Sequence, residues 1–280
     1  MPTLRYVVAD VFTDRPLTGN QLAVFTDARD LDSETMQALA LEIGFSETVF
    51  VLPSESEGHV RIRIFTPRVE LPFAGHPVLG TAFVLAAPLQ RGLIALETAG
   101  GVIPVELDRD ESGAIVFGRM TQPVPTVEPY PDPAALFRAL GVEGSLLPVE
   151  RYDNGVLHTF VALHSRAEVA ALRPDFAALA ALELMVSCFS GSETHWKMRM
   201  FAPFDGIPED PATGSAAGPL AAHLCRHERV EWGEWIEIDQ GAEIGRPSTL
   251  FARAGGRDDS IETVEVGGRA VTVARGEFRF

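Results

Sequence analysis

Short stretches of alternating or continuous apolar residues recur along the chain and predict strands. They lie at residues 4–12, 21–25, 48–52, 60–65, 93–98, 102–107, 114–117, 153–161, 185–189, 197–201, 235–238, 249–253, 261–266 and 270–274. Strands therefore outnumber helices and do not alternate with them regularly. This pattern favours an α+β fold over a doubly wound sheet.

In a few segments the apolar residues have the spacing of an α-helix instead. Between residues 33 and 43 the apolar residues fall on one face of a helix, Asp32 or Ser33 can cap its start, and Gly44 ends it. Further helices are predicted at residues 134–140 and at 166–182, the latter broken at Pro174. Five prolines within residues 121–133 predict a linker between two halves of the chain.

One sequence pattern occurs twice. Arg-x-Phe-x-Pro stands at residues 63–67 and again at 199–203, and each copy precedes a glycine–polar pair that opens an apolar helix. These pairs are Gly75 with His76 and Gly214 with Ser215. The first amides of such a helix and the positive end of its dipole favour an anion. The repeat predicts two related halves, each with one anion-binding helix start.

Bulk properties narrow the class of protein. The 280 residues, 46% hydrophobic and 22% charged, are typical of a globular chain of about two domains. The net charge of −16 argues against nucleic acid as a partner, because such proteins present a basic surface. An anionic small molecule would have to be attracted locally, by helix starts, histidine and arginine.

The chain shows no leader and no apolar run of membrane-spanning length, so we expect a cytoplasmic protein without a membrane partner. Cys188 and Cys225 are the only cysteines and form no Cys-x-x-Cys motif, which indicates a reducing compartment. Dinucleotide and P-loop fingerprints are absent, and nothing around Lys197, the only lysine, supports pyridoxal chemistry. We therefore expect no cofactor.

Three acidic residues, in two parts of the chain, are candidates for chemistry. Glu47 lies among apolar neighbours, a setting that raises the pKa of a carboxyl group and suits a proton shuttle near neutral pH. On position alone, a carboxylate that merely points out from a strand start is the more common case. Glu209 and Asp210 lie in a turn stiffened by two prolines, where one of them could bind a substrate hydroxyl or amine or simply cap the turn.

Other constellations are weaker. His76, Asp210 and Ser215 suggest a hydrolase triad, but residues 214–218 do not form the Gly-x-Ser-x-Gly motif, and a serine at a helix start is more often an N-cap. His223 and His227, four residues apart, could bind a metal ion, but the sequence offers no obvious third ligand. A plain helix face is favoured there, and no metal is expected.

Several longer motifs resemble those of the PhzF-like family of phenazine biosynthesis. They lie, in order, at residues 11–12 with 19–24, 45–50, 65–67 with 70–77, 209–216, and 240–241 with 245–248. That family is similar in fold to diaminopimelate epimerase. The resemblance implies an α+β fold of two pseudo-symmetric domains, each an antiparallel barrel-like sheet around a central helix, with the active site in the cleft between them. It places the domains at residues 1–118 with about 268–280 and at 119–267, and it implies a homodimer.

The enzyme that names the family isomerises a dihydro-hydroxyanthranilate by moving a proton between ring carbons. By resemblance, the general acid/base is Glu47. The positions that match the family's substrate-binding residues are Gly75, His76, Asp210, Gly214 and Ser215.

One departure bears on the reaction. Epimerase relatives carry a cysteine at each helix start, where this chain has Ala74 and Thr213. A single carboxylate suits an isomerisation better than an inversion, which generally needs a base on each face. The main hypothesis is therefore a cofactor-independent isomerase of a small carboxylate. The alternatives are a non-catalytic small-molecule-binding or regulatory protein, an epimerase of an unknown amino or hydroxy acid, and a serine hydrolase.

Overall fold

A computed structural model describes residues 3–279 of the chain. The chain forms two compact units, the first containing the segments up to Thr121 and from Gly267 onward, and the second spanning Gln122–Val266. Residues 1, 2 and 280, which the sequence prediction assigned to the first domain, lie outside the described residues.

The first unit is a mixed sheet with two helices. Its helices are α1 (Ser33–Ile43) and α2 (Gly75–Leu89). Its strands are β1 (Thr3–Val11), β2 (Asn20–Phe25), β3 (Glu47–Leu52), β4 (Val60–Phe65), β5 (Glu70–Leu71), β6 (Leu93–Thr98), β7 (Gly101–Arg109), β8 (Ile115–Thr121) and β18 (Ala270–Arg279). The predicted bounds of α1 are confirmed, with Asp32 as its N-cap and Gly44 in the left-handed conformation as its C-cap.

Strand pairing in the first unit alternates in direction. Strand β1 pairs antiparallel with β2 and β18, β2 pairs parallel with β3, β3 antiparallel with β4, β4 parallel with β6, and β6 antiparallel with β7. Helix α2 is buried over most of its length and contacts β1, β2, β6, β7 and β8. A Cβ at Gly80 would lie only 2.6 Å from Val11 and 2.7 Å from Leu22, so glycine permits this close packing of helix on sheet.

The second unit has more helices. They are α3 (Ala134–Leu140), α4 (Arg166–Ala171), α5 (Phe176–Leu182) and α6 (Gly214–Arg226). Its strands are β9 (Thr126–Pro129), β10 (Glu150–Asp153), β11 (Leu157–Ala162), β12 (Met185–Ser192), β13 (His195–Ala202), β14 (Ile207–Asp210), β15 (Ile236–Gln240), β16 (Ser248–Arg257) and β17 (Ser260–Gly268).

The second unit repeats the succession of pairings found in the first. Strand β10 pairs antiparallel with β11, β11 parallel with β12, β12 antiparallel with β13, β13 parallel with β15, and β15 antiparallel with β16. Helix α6 is buried along nearly its whole length. One prediction is wrong here: the proline-rich segment is not simply a linker, because residues 126–129 form β9 and pair with β10. The three residues before Pro129 keep their main-chain N–H groups, which a strand needs.

The repeated Arg-x-Phe pattern has the same local geometry in both units. Arg63 donates two hydrogen bonds to Glu70, at 2.7 and 2.6 Å, and Arg199 donates two to Glu209, at 2.8 and 2.7 Å. Each guanidinium also lies 5.1 Å from the ring centre of the phenylalanine two residues later. These pairs fix the chain that leads into α2 and α6.

Candidate active site

The start of α2 leaves its first amides without a side-chain cap. The residue before the helix is Ala74, in an extended conformation, and its methyl group has no hydrogen-bonding atom. His76 lies in the first helical turn and is only 3% exposed. An uncapped helix start with a buried imidazole can bind an anion and present one directed ring nitrogen to it.

Glu47 and His76 lie together at this helix start. Oε2 of Glu47 is 3.4 Å from Nε2 of His76, and the Glu47 side chain is 12% exposed. Strand β3 begins at Glu47, and its register sets Glu47 opposite Leu22 on β2, the strand that also carries Asn20. The interpretation of Glu47 as an outward-pointing residue is therefore wrong.

Burial keeps the imidazole of His76 neutral. Desolvation lowers the pKa of His76 to about 3, against the opposing effect of a hydrogen bond with the Gln21 main chain. The side-chain nitrogen of Asn20 lies 3.2 Å from Nδ1 of His76. Nε2 lies 3.4 Å from Oε2 of Glu47 and makes no hydrogen bond among residues 3–279. A largely buried carboxylate beside a neutral imidazole has the form of a general base.

The start of α6 is built from a polar loop. Thr213 precedes the helix, but its hydroxyl does not cap the helix and instead donates to Oδ2 of Asp210 at 2.6 Å. The side chain of Gln240 accepts from the amide of Thr213 at 3.0 Å and donates to the carbonyl of Asp210 at 2.8 Å. Gln240 thus holds Asp210 next to Gly214, a positioning role that the sequence did not reveal.

Glu209, the other acidic candidate of this loop, is committed elsewhere. Its carboxylate accepts both hydrogen bonds from Arg199, and the two side chains are 6% and 5% exposed respectively. Asp210 therefore remains as the candidate of this turn for binding substrate.

Ser215 lies inside α6, so the expectation that it serves as an N-cap is wrong. Its hydroxyl is 3.0 Å from Nε2 of His158, a fully buried residue of β11. Its carbonyl accepts from the side chain of Asn154 at 3.0 Å, and the carbonyl of Gly214 accepts from Gln122 at 2.9 Å. Sequence analysis missed all three partners.

The contact between Ser215 and His158 is not a hydrolase triad. Burial lowers the pKa of His158 to about 3. Within residues 3–279, Nδ1 of His158 has no hydrogen-bond partner, whereas a triad places a carboxylate there. The hypothesis of a serine hydrolase therefore has no geometric support.

The two histidines at the end of α6 lie close to a third possible metal ligand, the carboxylate of Glu150. Oε2 of Glu150 lies 3.2 Å from Nδ1 of His223 and 3.0 Å from Nε2 of His227, and these three residues could in principle ligate a metal ion. Arg226 already supplies the positive charge: its Nη1 is 2.9 Å from the same oxygen and 2.7 Å from the hydroxyl of Tyr152. A metal ion would have to displace this guanidinium, so the cluster is an ionic network that ties α6 to β10.

The thiols offer no base. Burial raises the pKa of the Cys188 thiol far above its ordinary value and that of Cys225 to about 11. Cys188 is on β12, and Cys225 is near the end of α6, away from the helix starts.

Comparison with known proteins matches the chain to one family. The family model described as phenazine biosynthesis-like protein matches residues 9–276. The chain belongs to this family. A relative from Pseudomonas aeruginosa, named trans-2,3-dihydro-3-hydroxyanthranilate isomerase, is 50% identical over 273 residues, which cover 97% of this chain and 98% of the relative. The predicted PhzF-like membership is confirmed, and the predicted isomerase class agrees with the name of this relative.

Solved structures show the same fold. A phenazine biosynthesis protein of the PhzF family from Bacillus anthracis superposes with a TM-score of 0.88 at 24% identity, over the full length of both chains. A hydroxyproline epimerase from Agrobacterium vitis superposes with a TM-score of 0.67 at 12% identity, over 98% of this chain and 92% of that chain. The predicted α+β fold is confirmed as a mixed, sheet-dominated architecture with few helices. The prediction of antiparallel sheets is wrong, because parallel pairs such as β2 with β3 and β11 with β12 occur in both units. No helix within residues 3–279 is long and apolar enough to cross a membrane.

Proposed function

We propose that this chain is a cofactor-independent isomerase that moves a proton between carbons of trans-2,3-dihydro-3-hydroxyanthranilate or a closely similar small carboxylate. The relative at 50% identity, matched over nearly its whole length, bears that name. The geometric observation that carries the proposal is the pairing of Glu47 with neutral His76 at 3.4 Å.

In the proposed reaction Glu47 is the only base. Its carboxylate takes a proton from a substrate C–H bond, the electron pair of that bond shifts the neighbouring double bond, and the protonated Glu47 returns the proton to another carbon on the same face. The atoms of substrate and product are the same. Because the nearby ring of His76 is neutral, it carries no positive charge that would oppose the uptake of a proton by Glu47.

The remaining site residues bind and orient the substrate. The amides at Gly75 and Gly214 and the side chains of His76 and Ser215 favour a carboxylate and developing negative charge, and Asp210 favours an amino or hydroxyl substituent. Two pseudo-symmetric domains with boundaries near residues 118 and 267, each contributing one helix start to a shared cleft, are part of the proposal. So are a homodimer and a cytoplasmic location.

The test is proton NMR in deuterium oxide with trans-2,3-dihydro-3-hydroxyanthranilate. Wild-type protein should shift the double bond and introduce deuterium at carbon. Glu47→Gln keeps the shape of the side chain but cannot accept the proton, and should be slower by about two to three orders of magnitude while still binding ligand. The matched control is Glu42→Gln on the exposed face of α1, which should keep the wild-type rate.

A near-wild-type rate for Glu47→Gln would refute the mechanism. Binding of the compound by wild-type protein without any proton exchange would favour the non-catalytic alternative. Inversion at a carbon without a shifted double bond would favour the epimerase alternative, to which the positions of Cys188 and Cys225 give no support.

A further inference from the structure

His158 is a polar residue in an unusual setting. Its side chain has no solvent exposure, and it approaches α6 from β11. Nε2 lies 3.0 Å from Oγ of Ser215. Nδ1 is buried and has no hydrogen-bond partner among residues 3–279. The ring thus has a single polar contact, and that contact is a candidate substrate-binding hydroxyl.

The missing partner of Nδ1 determines which nitrogen carries the proton. A neutral imidazole has one donor and one acceptor nitrogen. If the proton were on Nδ1, a buried N–H would have no acceptor, which native proteins rarely tolerate. With the proton on Nε2, the ring donates to Ser215 and only the lone pair of Nδ1 is left without a partner. An unsatisfied acceptor destabilises the folded protein less than an unsatisfied N–H donor. The contacts therefore favour the Nε2–H form.

This form gives the hydroxyl of Ser215 a direction. Because Oγ accepts from His158, its own hydrogen is free to point elsewhere. The first amides of α6, at Gly214 and Ser215, have no acceptor within the helix. A hydroxyl that donates alongside these amides forms a uniformly donating surface, which suits a carboxylate and repels an ammonium group.

We propose that His158 is a positioning residue that holds Ser215 as a hydrogen-bond donor to the carboxylate of the substrate. The proposal rests on the proposed function for the identity of that substrate. The assignment of the ring proton does not depend on it, so the two can fail separately.

The first experiment examines the protonation form of His158 directly. Protein labelled with ¹⁵N-histidine gives long-range proton–nitrogen correlations that identify the protonated ring nitrogen, and the signals of His158 are those missing from the His158→Gln spectrum. We expect a neutral ring with its proton on Nε2 near neutral pH. A proton on Nδ1 would overturn the proposal, whether or not the protein turns over any substrate.

The second experiment measures binding by calorimetry. The probes are 3-hydroxyanthranilate, an aromatic analogue of the substrate, and 2-aminophenol, which lacks the carboxylate. Ser215→Ala and His158→Leu should each weaken the binding of 3-hydroxyanthranilate by about tenfold to a hundredfold, the usual effect of losing a hydrogen bond to a charged group. The affinity for 2-aminophenol should not change. Equal weakening of both probes would contradict recognition of the carboxylate.

Two further variants separate positioning from packing. His158→Gln places an amide N–H near the position of Nε2 and should restore most of the affinity that His158→Leu loses. The double variant His158→Leu/Ser215→Ala should bind no more weakly than Ser215→Ala alone, because His158 acts through that hydroxyl. Losses that multiply in the double variant, with no rescue by glutamine, would show that His158 only fills space.

Discussion

Three buried histidines make the stability of this protein depend on pH in a predictable direction. Burial lowers the pKa of His76 and His158 to about 3 and that of His223 to about 4, from the ordinary value of 6.5. Between these values and 6.5 the unfolded chain binds protons that the folded protein does not bind. The free energy of unfolding therefore rises with pH in this window. The contribution of the three histidines to it is complete above about pH 6.5 and is lost as the pH falls.

The size of the loss follows from these values. When the pH falls from 7 to 5, proton binding at each histidine stabilises the unfolded chain by about 2 kcal/mol. The three histidines together therefore lower the free energy of unfolding by about 6 kcal/mol. That is a large part of the roughly 5–15 kcal/mol by which folded proteins are typically stable. Glu97 and Glu150, whose pKa values are lowered to about 2 from an ordinary 4.5, add their loss mainly at lower pH. The range from pH 7 to pH 5 therefore isolates the histidines.

Urea unfolding at pH 7, 6 and 5, followed by circular dichroism, measures this dependence. Between pH 7 and pH 5 the free energy of unfolding of the wild-type protein should fall by about 6 kcal/mol. That of His158→Gln should fall by about 4 kcal/mol, because this variant lacks one of the three histidines. The matched control is His195→Gln, whose ring is exposed at the start of β13 and which should show the wild-type loss. A free energy of unfolding that does not change between pH 7 and pH 5 would refute the reasoning.

Two further predictions concern carboxylates that hold local structure. Glu209→Gln should destabilise the second unit by about 3–5 kcal/mol in chemical unfolding, because it leaves the guanidinium of Arg199 buried without its charged partner; a loss below about 1 kcal/mol would show that the pair contributes little. Glu97 accepts hydrogen bonds from the hydroxyl of Ser54 and from three amides within residues 55–58, at 2.7–2.9 Å. Glu97→Gln should therefore speed hydrogen exchange of those amides at least about tenfold, and unchanged exchange would contradict this role.

Features that depend on neighbouring residues were predictable from the sequence. The period of apolar positions and the capping residues predicted α1 with its observed bounds, and the interruption at Pro174 separates α4 from α5 as expected. The twice-repeated Arg-x-Phe-x-Pro pattern indicated two helix starts because each copy is local to the helix it precedes. The proline-rich segment was misjudged because β9 pairs with β10, whose residues lie 21 to 27 positions further along the chain.

The polar groups behind the candidate site were not predictable in this way. Asn20 is 56 residues from His76, His158 is 57 from Ser215, and Gln122 is 92 from the carbonyl of Gly214 that it contacts. Single asparagines, glutamines and histidines in or next to strands have no periodicity that would mark them. Only the parallel and antiparallel pairing of the strands brings them to the starts of α2 and α6.

The two helix starts share features that bear on which reaction this chain can perform. In each unit the residue before the helix forms no side-chain cap, and the second helical residue contacts a polar group on a neighbouring strand, His76 with Asn20 and Ser215 with His158. Neither helix start supplies a base in the proposed reaction, since burial lowers the pKa of His76 to about 3 and the hydroxyl of Ser215 is a poor base that accepts from His158. The proposed base is instead Glu47, at the start of β3. A single base can return the proton it removed only to the face from which it took it, and that favours moving a double bond over inverting a carbon.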